Sequence, residues 1–180
     1  MQPIQVFDEF ILHLIQSLST PALDRIMIFL THLADRGFLW VLLAFCLLAS
    51  KKYRQTGSLI CLSLLFSALL GDHILKPLFA RTRPFAACPS IHLLIQPPGS
   101  FSFPSGHTMT SFAAAASLFS LNRKAGMAAG ILAAAIGFSR MYVGVHYFTD
   151  VLAGAAAGIL TALLLTRLLV RPDKNAVPRG

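Results

Sequence analysis

The stretch Phe103-Pro104-Ser105-Gly106-His107-Thr108 lies where a polar loop gives way to an apolar, alanine-rich run. Proline and serine favour the first positions of a helix, and glycine lets a ligand approach the backbone closely. The stretch therefore predicts the start of a helix, whose first turn has free N–H groups and a partial positive charge. Such a turn is a candidate anion site, with His107 as a candidate proton donor.

The composition of the whole chain indicates an integral membrane protein. Of the 180 residues, 56% are hydrophobic and only 12% are charged, whereas a soluble domain has about 25% charged residues. The formal net charge of +8 could indicate a nucleic-acid partner, but the basic residues lie between apolar runs and form no single tract. We therefore interpret them as topology signals and anion ligands, and we expect no nucleic-acid partner.

Five apolar segments predict an all-α, polytopic membrane helix bundle. A helix needs about 20 residues to cross the hydrocarbon layer, although shorter helices can be buried among their neighbours. The predicted spans are about 37–50, 57–79, 105–121, 125–141 and 148–170.

Before these spans, the sequence predicts two helices that are more polar than the spans. Residues 4–18 and 22–34 have apolar side chains at helical spacing but also charged ones, so we expect both helices at the membrane interface. Asp8 and Glu9 interrupt the first apolar stretch, which argues against a cleavable signal peptide. We expect one domain over residues 1–174, with interfacial helices at 1–35, a transmembrane core at 37–171, and a tail at 175–180 that resembles a tag remnant.

The charged ends of the spans predict the orientation in the membrane. Basic residues occur in Lys51–Arg54, in Arg123 and Lys124, and after Arg167, so these ends are predicted to be cytoplasmic. Loop 80–104 then faces away from the cytoplasm. The pairs Gly126/Gly130 and Gly154/Gly158 are small-xxx-small patterns that favour close helix packing in lipid.

Three polar clusters interrupt the apolar segments. They are Lys76–Pro84, Pro104–His107, and Ser139 and Arg140 followed by His146 and Asp150. Because successive spans alternate in direction, all three clusters are predicted to lie at the same membrane face.

The first chemical feature of these clusters is their positive charge. Lys76, Arg83 and Arg140 bring three cations to one face, and arginine forks match the oxygen pairs of a phosphate. Any one of these residues could simply reach the lipid headgroups from a helix end. Together with two histidines, they favour an anion pocket.

The second feature is the spacing of His146 and Asp150. Four residues apart on a helix, they share a face and can form a hydrogen bond. A carboxylate that fixes the imidazole tautomer makes the histidine a nucleophile or a base; the alternative is that Asp150 only caps a helix. Cysteine ligands are absent from the pocket and carboxylates are few, so we expect neither a metal nor a cofactor. A cationic cage around a histidine suits phosphoryl transfer.

The combined pattern Lys-x6-Arg-Pro, Pro-Ser-Gly-His and Ser-Arg-x5-His-x3-Asp, over residues 76–150, resembles the three-part signature of the type 2 phosphatidic acid phosphatase superfamily. The chain looks most like the short bacterial branch that includes undecaprenyl-diphosphate phosphatases of the bacitracin-resistance type. It differs from the six-span lipid phosphatases in lacking a clear first span. It also differs from some diphosphatases of the short branch, in which we expect aspartate at the position of Gly106. The resemblance implies a multi-pass lipid phosphatase of the bacterial inner membrane, with an extracytoplasmic active site.

The resemblance also implies roles for the matching residues. His146 would be the nucleophile that forms a phosphohistidine, Asp150 would stabilise it, and His107 would act first as acid and then as base. The phosphoryl oxygens would be held by Lys76, Arg83, Ser105, the Gly106 N–H and Arg140. Asp72, four residues before Lys76, is expected to position that lysine or to form a purely structural ion pair with it. His73, Arg81 and His92 could contact a second phosphate or the headgroup, or could have no part in the site.

The sequence is compatible with several functions. The expected partners are membrane lipids and a lipid phosphate, most readily undecaprenyl diphosphate, with phosphatidylglycerophosphate and phosphatidic acid as other substrates. A lipid phosphotransferase would use the same residues. Vanadium haloperoxidases share the anion cage, but the five apolar spans argue against a soluble enzyme. An anion transporter would need polar residues across the membrane, whereas these stop at one face. No pattern indicates an oligomeric state.

Overall fold

The computed structural model of the protein describes residues 3–169, so the predicted tail at 175–180 lies outside the described residues. Seven long helices make up this part of the chain, which confirms the predicted all-α class. They are α1 (Pro3–Gln16), α2 (Pro21–Leu33), α3 (Phe38–Ala49), α4 (Arg54–Ala68), α5 (Gly106–Leu121), α6 (Arg123–Tyr142) and α7 (Phe148–Leu169). Two short helical turns, Asp35–Gly37 and Pro84–Ala87, lie between them.

Helix α4 continues beyond Ala68 with a change in hydrogen bonding. The segment Leu69–Leu75 is π-helical, and Lys76–Phe79 forms a last α-helical turn. The N–H of Lys76 bonds to the carbonyl of Gly71, five residues back. Because the π segment widens the helix just before Lys76, it sets the direction in which this lysine leaves the helix.

Fewer helices than predicted are long enough to cross a membrane unaided. By length and composition the candidates are Arg54–Ala87, Arg123–Tyr142 and Phe148–Leu169. Pro21–Leu33 and Asp35–Ala49, bent by 46°, would be a fourth if they cross as one broken span. The predicted spans 37–50 and 105–121 are helical, but α3 and α5 have only 12 and 16 residues. We attribute their shortness to the turns at Gly37 and Ser105, which begin each helix inside the site region.

The bundle has an apolar outer surface and polar side chains inside it. Ile131 and Leu168 are 74% and 69% exposed, while Asp150 is fully buried. Helix α1 follows the same arrangement, because Phe7 is exposed and Asp8 is fully buried. The polar side of this helix therefore faces the protein, which the prediction of an interfacial helix did not anticipate.

Helices α5 and α7 pack closely through glycine. A Cβ atom at Gly154 would lie 2.6 Å from the Ser105 carbonyl oxygen, and one at Gly158 would collide with the Met109 carbonyl. This confirms the predicted role of the Gly154/Gly158 pair. The prediction is wrong for Gly130, which has no neighbour within 4 Å, because Gly126 packs against Phe119 in the α5–α6 turn and Gly130 faces outward.

Candidate active site

The predicted nucleophile lies in the loop between α6 and α7. His146 is 2% exposed and Asp150 is fully buried. The Nδ1 atom of His146 is 3.5 Å from Asp150 Oδ2, yet within residues 3–169 this nitrogen has no hydrogen-bond partner. We therefore describe the pair as a close electrostatic contact. Asp150 instead accepts hydrogen bonds from Ser102 Oγ at 2.5 Å and from the Tyr147 N–H at 2.9 Å.

The other face of the His146 ring fixes its tautomer. Arg83 Nη1 lies 3.2 Å from Nε2 of His146. Because a guanidinium in a protein only donates hydrogen bonds, Nε2 must be the acceptor, and the ring proton is therefore on Nδ1, facing Asp150. Burial, reinforced by Arg83 and Arg140, lowers the pKa of His146 to about 3 despite the opposing effect of Asp150. The ring is therefore neutral, with its lone pair on Nε2.

Arg83 is also a structural clamp. It donates to the carbonyl and hydroxyl oxygens of Ser100, to the carbonyl of Phe101 and to the carbonyl of Val145. With the contact to His146, every N–H of the guanidinium has an acceptor. The side chain thus joins loop 98–102 to loop 143–147, and an incoming phosphate would have to replace some of these bonds.

Arg140 differs from Arg83 in having a guanidinium nitrogen without an acceptor among residues 3–169. Its side chain is buried, with the residue 3% exposed, and it donates a hydrogen bond to Thr31 Oγ1. Its Nε atom has no partner among residues 3–169. A buried cation short of acceptors is costly unless an anion is bound beside it.

Lys76 supplies a cation from the end of the α4 helical segment. Its Nζ atom is 2.6 Å from Asp72 Oδ1, which confirms that the two residues form a pair, and 3.4 Å from Ser100 Oγ. The first turn of α5 lies beside it, since a Cβ atom at Gly106 would be 3.7 Å from Nζ. Ser105 is fully buried, and its N–H donates to the Asp150 carbonyl at 3.0 Å.

His107 has a carboxylate partner that the sequence analysis missed. Its Nε2 atom is 2.9 Å from Asp35 Oδ1, and the other oxygen of Asp35 is 2.7 Å from Nδ1 of His32. Asp35 lies in the turn between α2 and α3, within a segment expected to be interfacial. Lys76 and Arg140 lie close enough to His107 to act on it electrostatically.

Arg81 is the second residue whose place the sequence did not reveal. Its Nη1 atom is 2.6 Å from Asp150 Oδ1, and its Nη2 atom is 2.6 Å from Asp8 Oδ2. The guanidinium also lies 4.0 Å from the centre of the Tyr147 ring. Asp8 further accepts from the N–H and hydroxyl of Thr149, at 3.0 and 2.5 Å. Both terminal nitrogens of the Arg81 guanidinium therefore bind buried carboxylates and are not available to a second phosphate.

The other candidates lie away from these contacts. His73 and His92 are exposed, and the backbone of His92 is held by Gln16. Among residues 3–169, no three His, Cys, Asp or Glu side chains are grouped so as to hold a metal ion. Metal independence stays a prediction.

A cleft lies on the Lys76 and His107 side of the site. It has a volume of about 380 Å³, and its walls include Lys76, Gly106 and His107. Arg36 and Thr110 also line an apolar groove of about 290 Å³ beside Val41 and Leu65. Polar and apolar binding space therefore meet at the turn between α2 and α3.

Together, these contacts bring all the predicted site residues to one end of the bundle. A neutral histidine whose Nε2 accepts a hydrogen bond from Arg83 lies beside buried cations, and a second histidine is paired with a carboxylate. Such an arrangement can attack, hold and protonate a phosphate ester.

Comparisons with known proteins agree with this chemistry. The PAP2 superfamily profile matches residues 56–173. The chain is 32% identical over 165 residues to undecaprenyl-diphosphatase BcrC of Bacillus subtilis, covering 87% of this chain and 81% of that protein. It is 33% identical over 174 residues to phosphatidylglycerophosphatase B of the same organism, covering 90% and 83%. The crystal structure of a transmembrane PAP2-type phosphatidylglycerolphosphate phosphatase from Bacillus subtilis superposes with a TM-score of 0.77 at 30% identity, covering 93% of this chain and 87% of that one. The chain belongs to the PAP2 superfamily and is a membrane lipid phosphatase.

Proposed function

We propose that the protein removes the terminal phosphate of undecaprenyl diphosphate at the extracytoplasmic face of the bacterial cell membrane, through a phosphohistidine on His146. The observation that carries this proposal is the buried guanidinium of Arg140, whose Nε has no acceptor within residues 3–169. A phosphoryl group beside His146 would supply the missing anion. Lys76, Ser105 and the Gly106 N–H would hold its other oxygens.

The tautomer of His146 supports the first chemical step. Nε2 of His146 attacks phosphorus, and the bond from phosphorus to the leaving oxygen breaks. Arg83 Nη1, now 3.2 Å from Nε2, turns from the nitrogen to a phosphoryl oxygen. The Nδ1 proton faces Asp150, so this contact strengthens as the ring becomes cationic.

His107 has the complementary role in this proposal. It gives its proton to the leaving oxygen in the first step and accepts a proton from water in the second. General acid–base catalysis of this kind typically contributes about 10²- to 10⁴-fold. Phosphate is then released, and His146 returns to its neutral form.

The cleft supports a lipid substrate. The headgroup would lie beside Lys76 and His107, while the isoprenoid chain would follow the apolar groove past Val41 and Leu65. Phosphatidylglycerophosphate is the second candidate substrate, favoured by the structural similarity to a phosphatidylglycerolphosphate phosphatase.

The substrate is tested by phosphate release from undecaprenyl diphosphate, phosphatidylglycerophosphate and phosphatidic acid by the purified protein. We expect the highest kcat/KM for undecaprenyl diphosphate and no release by His146→Ala. A higher value for phosphatidylglycerophosphate would replace the first substrate by the second. Transfer of the phosphoryl group to an added lipid alcohol in preference to water would instead indicate a phosphotransferase. Phosphate flux into proteoliposomes that survives His146→Ala would indicate a transporter.

The membrane face is tested separately with cysteine labelling. Cys88, which lies in the loop on the site side, is kept while Cys46 and Cys61 are changed to serine. A membrane-impermeant maleimide should label Cys88 in intact cells. The matched control is Asn122→Cys in the same background without Cys88, at the opposite end of the bundle, which should react only after permeabilisation. The reverse pattern would contradict an extracytoplasmic site.

A further inference from the structure

Asp35 occupies a position that the roles proposed above for the site residues do not explain. It lies in the turn Asp35–Gly37 between α2 and α3, where Arg36 and Gly37 both have positive φ angles of 52° and 72°. Such angles are uncommon for a residue with a Cβ atom, and strained backbone is often kept at functional sites. The result of this turn is that the Asp35 carboxylate lies 2.9 Å from Nε2 of His107, a residue 72 positions away.

We propose that Asp35 is the positioning residue of His107, so that the Asp35 carboxylate holds the imidazole for proton transfer to the leaving group. The inference rests on the proposed function and assigns a second histidine–carboxylate pair to the site. The first pair, His146 and Asp150, acts on the attacking side. The second pair, His107 and Asp35, acts on the side of the leaving group.

The geometry also assigns the two nitrogens of His107. Nε2 carries a proton that is directed to Asp35, so the proton for the leaving oxygen comes from Nδ1. As Nε2 of His146 forms its bond to phosphorus, the electron pair of the breaking P–O bond goes to the leaving oxygen, which takes the Nδ1 proton. In the second step water gives a proton to Nδ1 as its oxygen attacks phosphorus, and the bond from phosphorus to Nε2 of His146 breaks with its electron pair returning to that nitrogen. The Nε2 proton stays on the ring, directed to Asp35, throughout both steps. Burial, Arg140 and Lys76 disfavour the cationic form of this ring, and the negative charge of Asp35 opposes them.

His32 supports the carboxylate from the other side. Its Nδ1 atom is 2.7 Å from Oδ2 of Asp35, which leaves Oδ1 directed at His107. Both residues of this support lie before the region matched by the family profile, which starts at residue 56. The N-terminal part of the chain therefore contributes to proton transfer as well as to the membrane surface.

The test compares two soluble probes that differ in their need for a proton. Decyl phosphate has a basic alkoxide leaving group, whereas the leaving group of p-nitrophenyl phosphate is a stable phenolate. Asp35→Asn should lower kcat/KM for decyl phosphate by about 10- to 100-fold and for p-nitrophenyl phosphate by less than about threefold. If Asp35 had a purely structural role, the substitution would lower kcat/KM for both probes by the same factor. His107→Asn should show the same selectivity, and the double variant should lose little more than His107→Asn alone.

Matched controls separate this role from other effects. Arg81 acts on the attacking side through Asp150. Arg81→Gln should therefore lower kcat/KM by the same factor for both probes. Asp35→Ala should repeat the selectivity with a larger loss, and melting temperatures in detergent show whether either variant folds. Equal losses for both probes in folded variants would overturn the inference. A gain in kcat/KM would also overturn it, because Asp35 would then be competing with the substrate. Wild-type protein inactive on both probes and on undecaprenyl diphosphate would contradict the proposed function, and with it any catalytic role of Asp35.

Discussion

Arg81 donates a 2.6 Å hydrogen bond to the buried carboxylate of Asp150, the residue that faces His146. Its other terminal nitrogen binds Asp8 in α1, whose carboxylate is also fully buried. One guanidinium therefore bridges two buried carboxylates and connects the N-terminal helix to the site. Removing one member of such a network leaves an uncompensated buried charge.

The bridge predicts that Arg81→Gln and Asp8→Asn impair catalysis although neither residue contacts the proposed phosphate site. We expect kcat to fall by about 10- to 100-fold, because Asp150 loses a fixed partner and His146 is held less well. The measurement is steady-state phosphate release together with the melting temperature in detergent. Arg123→Gln, at the opposite end of the bundle, is the control. Additive effects in the Asp8→Asn/Arg81→Gln double variant would contradict the bridge, since coupled residues give non-additive losses.

Close packing of α5 on α7 predicts an effect of adding a single methyl group. Gly158→Ala places a Cβ atom against the Met109 carbonyl, so we expect stability to fall by about 1–3 kcal/mol. Gly130→Ala is the matched control, because no atom lies within 4 Å of a Cβ there. It should leave stability unchanged or raise it by up to about 1 kcal/mol through helix propensity. Thermal unfolding in detergent compares the two, and equal effects would count against the packing described.

The low pKa of His146 predicts a loss of stability in acid. The folded protein keeps the ring neutral down to about pH 3, whereas the unfolded chain takes up a proton below about pH 6.5. The stability contributed by the neutral ring is therefore present above about pH 6.5 and lost as the pH falls, by at most about 1.4 kcal/mol per pH unit. His146→Gln should lose less stability than wild type between about pH 6.5 and 4.5. His73→Gln, at an exposed histidine, should follow the wild-type curve; identical curves for all three proteins would refute the pKa shift.

The residue types around the site predict activity without added divalent metal. The cations Lys76, Arg83 and Arg140 supply positive charge that a metal ion would otherwise provide. Phosphate release should therefore be unchanged after treatment with EDTA and removal of the chelator–metal complex. Loss of activity that returns on adding Mg²⁺, Mn²⁺ or Zn²⁺ would show this prediction to be wrong.

The sequence was sufficient for the parts of the site that follow from helix ends and local spacing. Apolar run lengths located the helices, and alternating span direction predicted that Lys76, His107 and His146 would meet. The pairing of Asp72 with Lys76 followed from an i, i+4 spacing. The same spacing predicted that His146 lies near Asp150, but His146 is in the loop before α7 and forms no hydrogen bond with that carboxylate. These inferences need only the helix period and the antiparallel order of neighbouring helices.

Partners that are distant in the chain could not be found in this way. Asp8 and Asp35 lie 73 and 72 residues from Arg81 and His107, and no local pattern links them. Their charges favoured an interfacial interpretation of the N-terminal helices, although a fully buried Asp8 requires a buried cation. One signal in the sequence pointed to a turn at this position. Gly37 follows the charged residues Asp35 and Arg36, and glycine often marks the end of a helix.

We propose above that the phosphoryl group is transferred to His146, and this step can be tested by trapping the phosphohistidine. Protein turning over undecaprenyl diphosphate is quenched in base, which preserves phosphohistidine, and its peptides are mapped by mass spectrometry. We expect one added PO₃ group on His146 in wild type and none in His146→Ala, which should still bind the lipid. A phosphoryl group on another residue, or wild-type rates of phosphate release by His146→Ala, would contradict it.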